Sequence, residues 1–290
     1  MHLPRRPLGQ TGLDVTPLGL AKVFGPWTWL DGPRLTLNAD DVEQAFYDFG
    51  LNTFLVVSRM KELCEGVRRL IRAGHRAELV LVAGQGLPFG GPVRRGLEQH
   101  LRVLGTDHLD VWIIGFVHQP WSVGEGAWSQ MRKLREEGKT RAIGFSSHDR
   151  RLAARLAREL PADVLMIRYN ASHRGAEREI FDALADLGPR RPGIIAYTAT
   201  RWGMLLKPLP KRGFPRALTS PGCYRFTLGH PMVDTVWCAA RTLHELHEDV
   251  AGALQGPLDA ARRDEARRFG DAVHDAARLG RRWAFGARSS

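Results

Sequence analysis

The sequence predicts an α/β protein of the TIM (β/α)8 barrel class. Eight short apolar runs recur along the 290 residues, near 18–22, 52–57, 79–83, 109–115, 141–145, 163–168, 193–198 and 233–237. Segments with helical spacing of apolar residues separate them, and this alternation is the pattern of βαβ units with parallel strands. No linker-like stretch divides the chain, and barrels of this kind often exceed ~200 residues as one unit. Residues 1–290 therefore read as a single barrel domain.

The elements follow in order. After the first run, Val42, Ala45, Phe46 and Phe49 fall on one helical face, and Gly50 stands where a helix would end. Val93, Leu97, Leu101 and Leu104 repeat the theme before the fourth run. Gly138 closes the helix that contains Lys133 to Glu137, and Asp149 is placed to cap the next, which carries Leu152, Leu156 and Leu160. The stretch from Lys207 to Pro221, rich in Pro, Lys and Arg, is either a lid over the barrel or an ordinary surface loop. A last helix is expected over residues 257–277, outside the barrel, with a mobile basic tail behind it.

Charge and cysteine content exclude several classes. The net charge is +11, carried mostly by dispersed Arg, with Lys only at 22, 61, 133, 139, 207 and 211. No nucleic-acid reader motif accompanies it, so the charge reads as a solvated Arg-rich surface rather than a specific nucleic-acid site. Cys64, Cys223 and Cys238 are odd in number and lack metal-ligand spacing, which argues against a disulfide framework or a zinc site and fits a reducing cytoplasm. No apolar run is long enough to cross a bilayer, and none follows Arg5 and Arg6 as a leader would require. A soluble protein with a small-molecule ligand is expected.

Several segments resemble the aldo-keto reductase superfamily. They are Arg6–Leu20 with its Leu8-Gly9-Gln10-Thr11-Gly12 core, Leu104–Asp110, Glu137–Gly144, and Ile195–Tyr197 followed by Arg201–Leu206. They stand in the family's order and span residues 6 to about 250. The resemblance implies an aldo-keto-reductase-type barrel in which an Asp, a Tyr, a Lys and a His meet at the mouth while NAD(P)H supplies hydride. The positions matching that tetrad hold Leu55, Met60, Gly84 and Gly115. None of these side chains can donate a proton or tune a neighbour.

For a nicotinamide nucleotide the resemblance implies a stacking ring at Tyr197 and carboxamide contacts from Ser146 and Ser147, with Met166 where the family has Gln. Near the eighth strand it implies contacts to the adenosine phosphate from Arg241 and Glu248. Glu245 stands where a group meeting a 2′-phosphate would lie, and its charge would repel that dianion. NAD(H) is thus favoured over NADP(H), with the absence of any cofactor the remaining alternative.

Other polar residues fall at strand ends and are candidates to replace the tetrad. Lys22 follows the first strand and would have a lowered pKa if it projected into the barrel. Arg59 and Lys61 flank Met60, Arg168 shares a side of its strand with Met166, Tyr169 follows it, and His118 lies three residues past Gly115. The plainer readings are a helix start for Arg59 and Lys61, an ion pair with Glu177 or Asp182 for Arg168, and an exposed loop for His118. His148 and His173 follow strands and rank lower; His244 and His247 have no third ligand. Two functions fit: an enzyme acting on a small anionic molecule by non-standard chemistry, or a catalytically inactive nucleotide- or partner-binding regulator.

Overall fold

The computed structural model describes residues 1–22, 37–57, 60–86, 92–123 and 125–286. Eight parallel strands close into a barrel in chain order: β3 (Leu18–Leu20), β4 (Thr53–Leu55), β5 (Val80–Gly86), β6 (Leu109–Val117), β7 (Thr140–Ser147), β8 (Val164–Arg168), β9 (Gly193–Tyr197) and β10 (Thr235–Cys238), with β10 pairing back onto β3. Each apolar run of the sequence supplies one of them. A short hairpin, β1 (Arg6–Pro7) and β2 (Asp14–Val15), precedes the barrel and places Leu8, Leu13 and Val15 in its interior cluster.

Strand alternation sorts the side chains into two layers. Val80, Val82, Val111, Ile113, Ala142, Val164, Ile195 and Trp237 fill the lumen. Their neighbours Leu81, Trp112, Ile143, Leu165, Ile194 and Val236 pack outward against the helices. Trp237 is the largest lumen residue. Its indole N–H donates to the Met166 sulfur at 3.1 Å, and a Cβ on Gly19 would lie 2.6 Å from its ring. The small residue on β3 is what lets the indole lie across the barrel.

Helices α1 (Ala39–Phe49), α2 (Lys61–Arg72), α3 (Val93–Leu104), α4 (Glu125–Glu136) and α5 (Arg150–Glu159) follow β3 to β7 in turn. Asn38 and Asp41 form a reciprocal cap on α1, and Gly50 ends it in the left-handed conformation. Asp149 accepts from Leu152 N at 3.0 Å to start α5. After β8 the chain makes a π turn, Glu177–Phe181, that runs into α6 (Asp182–Leu184). Helices α7 (Ser220–Leu228), α8 (Leu243–Leu254) and α9 (Ala260–Gly286) complete the chain.

The last helix runs beyond the expected 257–277, and the final four residues lie outside the described ones. It is anchored at the loop after β8: a Cβ on Gly270 would meet the Ala171 carbonyl at 2.1 Å, Arg174 pairs with Asp271 at 2.9 Å, and His274 Nδ1 lies 3.1 Å from the Ser172 carbonyl. The Lys207–Pro221 segment is pinned rather than free. Leu209 and Phe214 bridge each other, Leu218 N donates to Leu205 O, and the Phe214 ring meets Phe269 of α9 at 5.4 Å. No helix among the described residues is long and apolar enough to cross a membrane.

Candidate functional site at the barrel mouth

The C-terminal ends of β6, β7, β8 and β9 build one cluster. β6 carries an irregularity between Ile114 and Val117. Ser146 and Ser147 of β7 brace it: the Phe116 amide donates to Ser146 Oγ at 3.1 Å, and Ser147 Oγ donates to the Val117 carbonyl at 2.6 Å. The result is an exposed Phe116 ring held at φ 59°. Among the described residues the non-glycine positions in the left-handed region are Phe116, in the last part of β6, and Thr198, Arg201 and Trp202, just past the end of β9. Backbone strain concentrated at the mouth points to a functional demand there.

Arg168 and Tyr197 are register partners at the ends of β8 and β9. The Arg168 guanidinium bonds to His148 Nδ1 and lies 3.4 Å from His173 Nε2. Its Cζ sits 6.0 Å from the Trp202 ring centre. The His148 ring stacks on Phe116 and His118 and meets Tyr197 edge-on at 5.7 Å. Burial, reinforced by the charge of Arg168, pushes His148 down to about 4 and His173 to about 3. Burial raises Tyr197 to about 12, against the opposing pull of Arg168. At neutral pH the Arg168 guanidinium has the neutral imidazoles of His148 and His173 and the neutral phenol of Tyr197 beside it.

The sequence resemblance assigns the tetrad positions to Leu55, Met60, Gly84 and Gly115. Leu55 packs into the lumen cluster, and Met60 is buried in the outer core. Gly84 and Gly115 differ from each other. A Cβ at Gly84 would sit 2.4 Å from the Ile113 carbonyl, whereas at Gly115 its nearest neighbour would be 3.5 Å away. Gly84→Ala is therefore expected to cost about 1–3 kcal/mol, while Gly115→Ala is nearly neutral; thermal melts of the two variants check the contrast.

Several sequence expectations need correction, and strand alternation supplies the reason. Ala21 faces the lumen, so Lys22 turns outward; it is exposed and lines a surface pocket with Leu37, Glu62 and Arg241. Arg168 faces inward, so Tyr169 points into the helix layer, fully buried, its hydroxyl donating to Glu177 at 2.8 Å. Arg168 bonds to His148 and lies beside His173, while Glu177, its expected partner, takes Tyr169 and Arg267. Lys61 is exposed at the first turn of α2. Arg59 lies outside the described residues.

His118 does join the mouth, through its stacking on His148. Of the two serines, Ser146 is on the lumen side, while the Ser147 hydroxyl proton is committed to Val117. Arg241 is clamped by Glu245 at 2.6 Å, and Glu248 is exposed beside His244. His247 packs its ring against Phe49 at 5.9 Å. No group of three or more His, Cys, Asp or Glu could hold a metal among the described residues.

His148 ranks low in the sequence reading, although it directly follows β7 as His118 directly follows β6. Phe116 and Trp202 were not singled out at all. Nothing in a sequence marks a non-glycine residue as left-handed.

A closed eight-stranded parallel barrel with convergent polar side chains at the C-terminal strand ends has the architecture of TIM-barrel ligand-binding and catalytic proteins. Residues 91–213 match the model of the aldo/keto reductase family. The aldo-keto reductase AKR11C1 of Bacillus halodurans, in apo and holo forms, superposes with TM-score 0.69 at 17% identity over 92% of this chain and 96% of its own. A Pseudomonas aeruginosa protein assigned provisionally to the aldo-keto reductases superposes with TM-score 0.66 at 23% identity, over 87% of this chain and 95% of its own.

Proposed function

We propose that this aldo-keto-reductase-type barrel binds a small anionic molecule at its mouth and acts on it without the family's Asp, Tyr, Lys and His relay. The observation that carries this reading is the Arg168 guanidinium set among His148, His173 and Tyr197. It supplies a positive field inside a partly water-excluded site, where an anion gains most. The groups able to hold or move a proton there are the Tyr197 hydroxyl and the His148 imidazole, which take the place of Lys22 and Tyr169 as acid or base. A reduction with a different proton donor and a cofactor-independent lyase, cyclase or isomerase step both use this arrangement.

A nicotinamide nucleotide fits the site in part. The Tyr197 ring and Ser146 support it. The Ser147 proton and the Met166 sulfur are spent on Val117 and Trp237, so the carboxamide end is poorly provided. The Arg241–Glu245 pair leaves little net charge for a 2′-phosphate, which favours NAD(H) over NADP(H) in the groove between β10 and β3. No chemical step is routed through the nucleotide.

The second reading, a regulator that binds a nucleotide or partner without chemistry, is favoured by apolar Leu55 and Met60 and by the Trp237–Met166 contact across the lumen. Titration with NADH and NADPH, followed by tryptophan fluorescence and calorimetry, separates the possibilities. NADH is expected to bind more tightly than NADPH; equal affinities would overturn the preference, and no binding of either would leave cofactor-independent chemistry. Turnover that is lost in Arg168→Gln with the fold intact would exclude the inactive regulator.

A further inference from the structure

The mouth carries more than a positive charge. Phe116 and Trp202 are 60% and 52% exposed, and both stand on left-handed backbone, at φ 59° and 51°. Such a conformation imposes strain on a non-glycine residue. An exposed ring recovers little of that through packing in the protein's own core. Both rings converge on one group: Trp202 lies beside the Arg168 guanidinium, and Phe116 stacks on the imidazole that Arg168 holds.

The hydrogen bonds determine where the protons sit. A guanidinium only donates, so neutral His148 accepts at Nδ1 and carries its proton on Nε2. His173 likewise accepts at Nε2, and its Nδ1–H is 3.3 Å from Asn170 Oδ1. The Asn170 amide donates in turn to the Thr198 carbonyl at 2.7 Å, tying the network to the loop that bears Trp202. His148 is thereby set to offer an N–H, next to a fixed cation.

We propose that this corner of the mouth is a subsite for a flat aromatic carboxylate, with Arg168 and the Nε2–H of His148 receiving the carboxylate and Phe116 and Trp202 receiving the ring. This rests on the reading of the mouth as a ligand site and names the class of ligand. A planar guanidinium matches a planar carboxylate, and exposed aromatic faces favour a conjugated ring by stacking.

Calorimetry on the full chain with benzoate, benzamide and cyclohexanecarboxylate tests the assignment. Benzoate is expected to bind tightest, with benzamide weaker by roughly tenfold or more through loss of the charge-assisted bonds. Arg168→Gln should weaken benzoate to a similar degree. Trp202→Ala should weaken benzoate and leave cyclohexanecarboxylate unchanged. Circular dichroism checks the fold of each variant, and Arg168→Lys, expected to retain part of the affinity, serves if Arg168→Gln does not fold. Absence of benzoate binding to the unmodified protein, equal affinity for benzamide, or undiminished binding by the Arg168 variants would overturn the proposal. Saturable binding of a non-aromatic anion, abolished by Arg168→Gln, with no binding of benzoate would overturn the aromatic class alone and leave the anion-binding function standing.

Discussion

Replacing Trp237 with Ala is expected to lower the stability of the protein by about 3–5 kcal/mol, the range for truncating a large buried aromatic residue. Trp237 is 6% exposed and sits in the lumen cluster between Gly19 and Met166. Its removal deletes the largest volume in that layer and leaves the Met166 sulfur without its N–H donor. The barrel is poorly placed to collapse into the gap, because its wall is a closed hydrogen-bonded sheet. Chemical denaturation of wild type and variant measures the difference. A loss below about 1 kcal/mol would mean that the indole does not fill the lumen as described. Trp237→Phe should recover most of the packing and none of the N–H···S contact, which separates the two contributions.

Asp249→Asn is expected to stabilise the protein in a pH-dependent manner. Asp249 lies on α8, 2% exposed, with Cys238 Sγ at 3.5 Å from Oδ2 and no partner for Oδ1 among the described residues. Burial raises its carboxyl to about 7 against the opposing hydrogen bonds of Ser220 and Cys238, and the charges of Glu245 and Glu248 add to the rise. An unfolded Asp releases its proton near pH ~3.9, so across the interval up to about 7 the folded protein binds a proton that the unfolded chain has lost. Stability is then greatest below that interval and falls as pH rises through it, by up to about 4 kcal/mol.

The Asn variant has no proton to lose. The two stability curves should meet near pH ~4 and diverge towards neutrality, with the variant the more stable. His148 and His173 act in the opposite sense: their folded pKa values lie below that of a free imidazole, so they withdraw stability as pH falls below ~6.5. They are common to both proteins, so the difference between the curves isolates Asp249. Parallel curves from urea unfolding at a series of pH values would refute the assignment.

The fold was legible because burial imposes periodicity on a chain. Each apolar run became a strand, and Gly50, Gly138 and Asp149 punctuate the helices where expected. The last helix extends beyond its expected end because its Arg-rich latter part reads in sequence as a tail. The Lys207–Pro221 segment could not be decided from composition. It is a long-range contact, Phe214 against Phe269, that holds it down.

The candidate site was legible in part. Arg168, Tyr197, His118 and Ser146 meet at the mouth, whereas Lys22, Tyr169 and Ser147 were assigned there and point elsewhere. Each of those three follows an inward-facing residue by one position. A single-residue step along a strand moves a side chain from the lumen to the helix layer, and a sequence alignment cannot locate strand ends to one residue.

What the sequence by itself determined is the eight-unit barrel and the apolar character of Leu55, Met60, Gly84 and Gly115. These follow from local pattern and residue chemistry. Only the tertiary structure decided that Arg168, His148 and His173 form one network, that Ser146 and Ser147 brace a strained Phe116, and that Trp237 crosses the lumen to Met166. The residues concerned come from different βα units and meet because the sheet closes on itself, and the protonation of each depends on burial and a charge that its own segment does not supply.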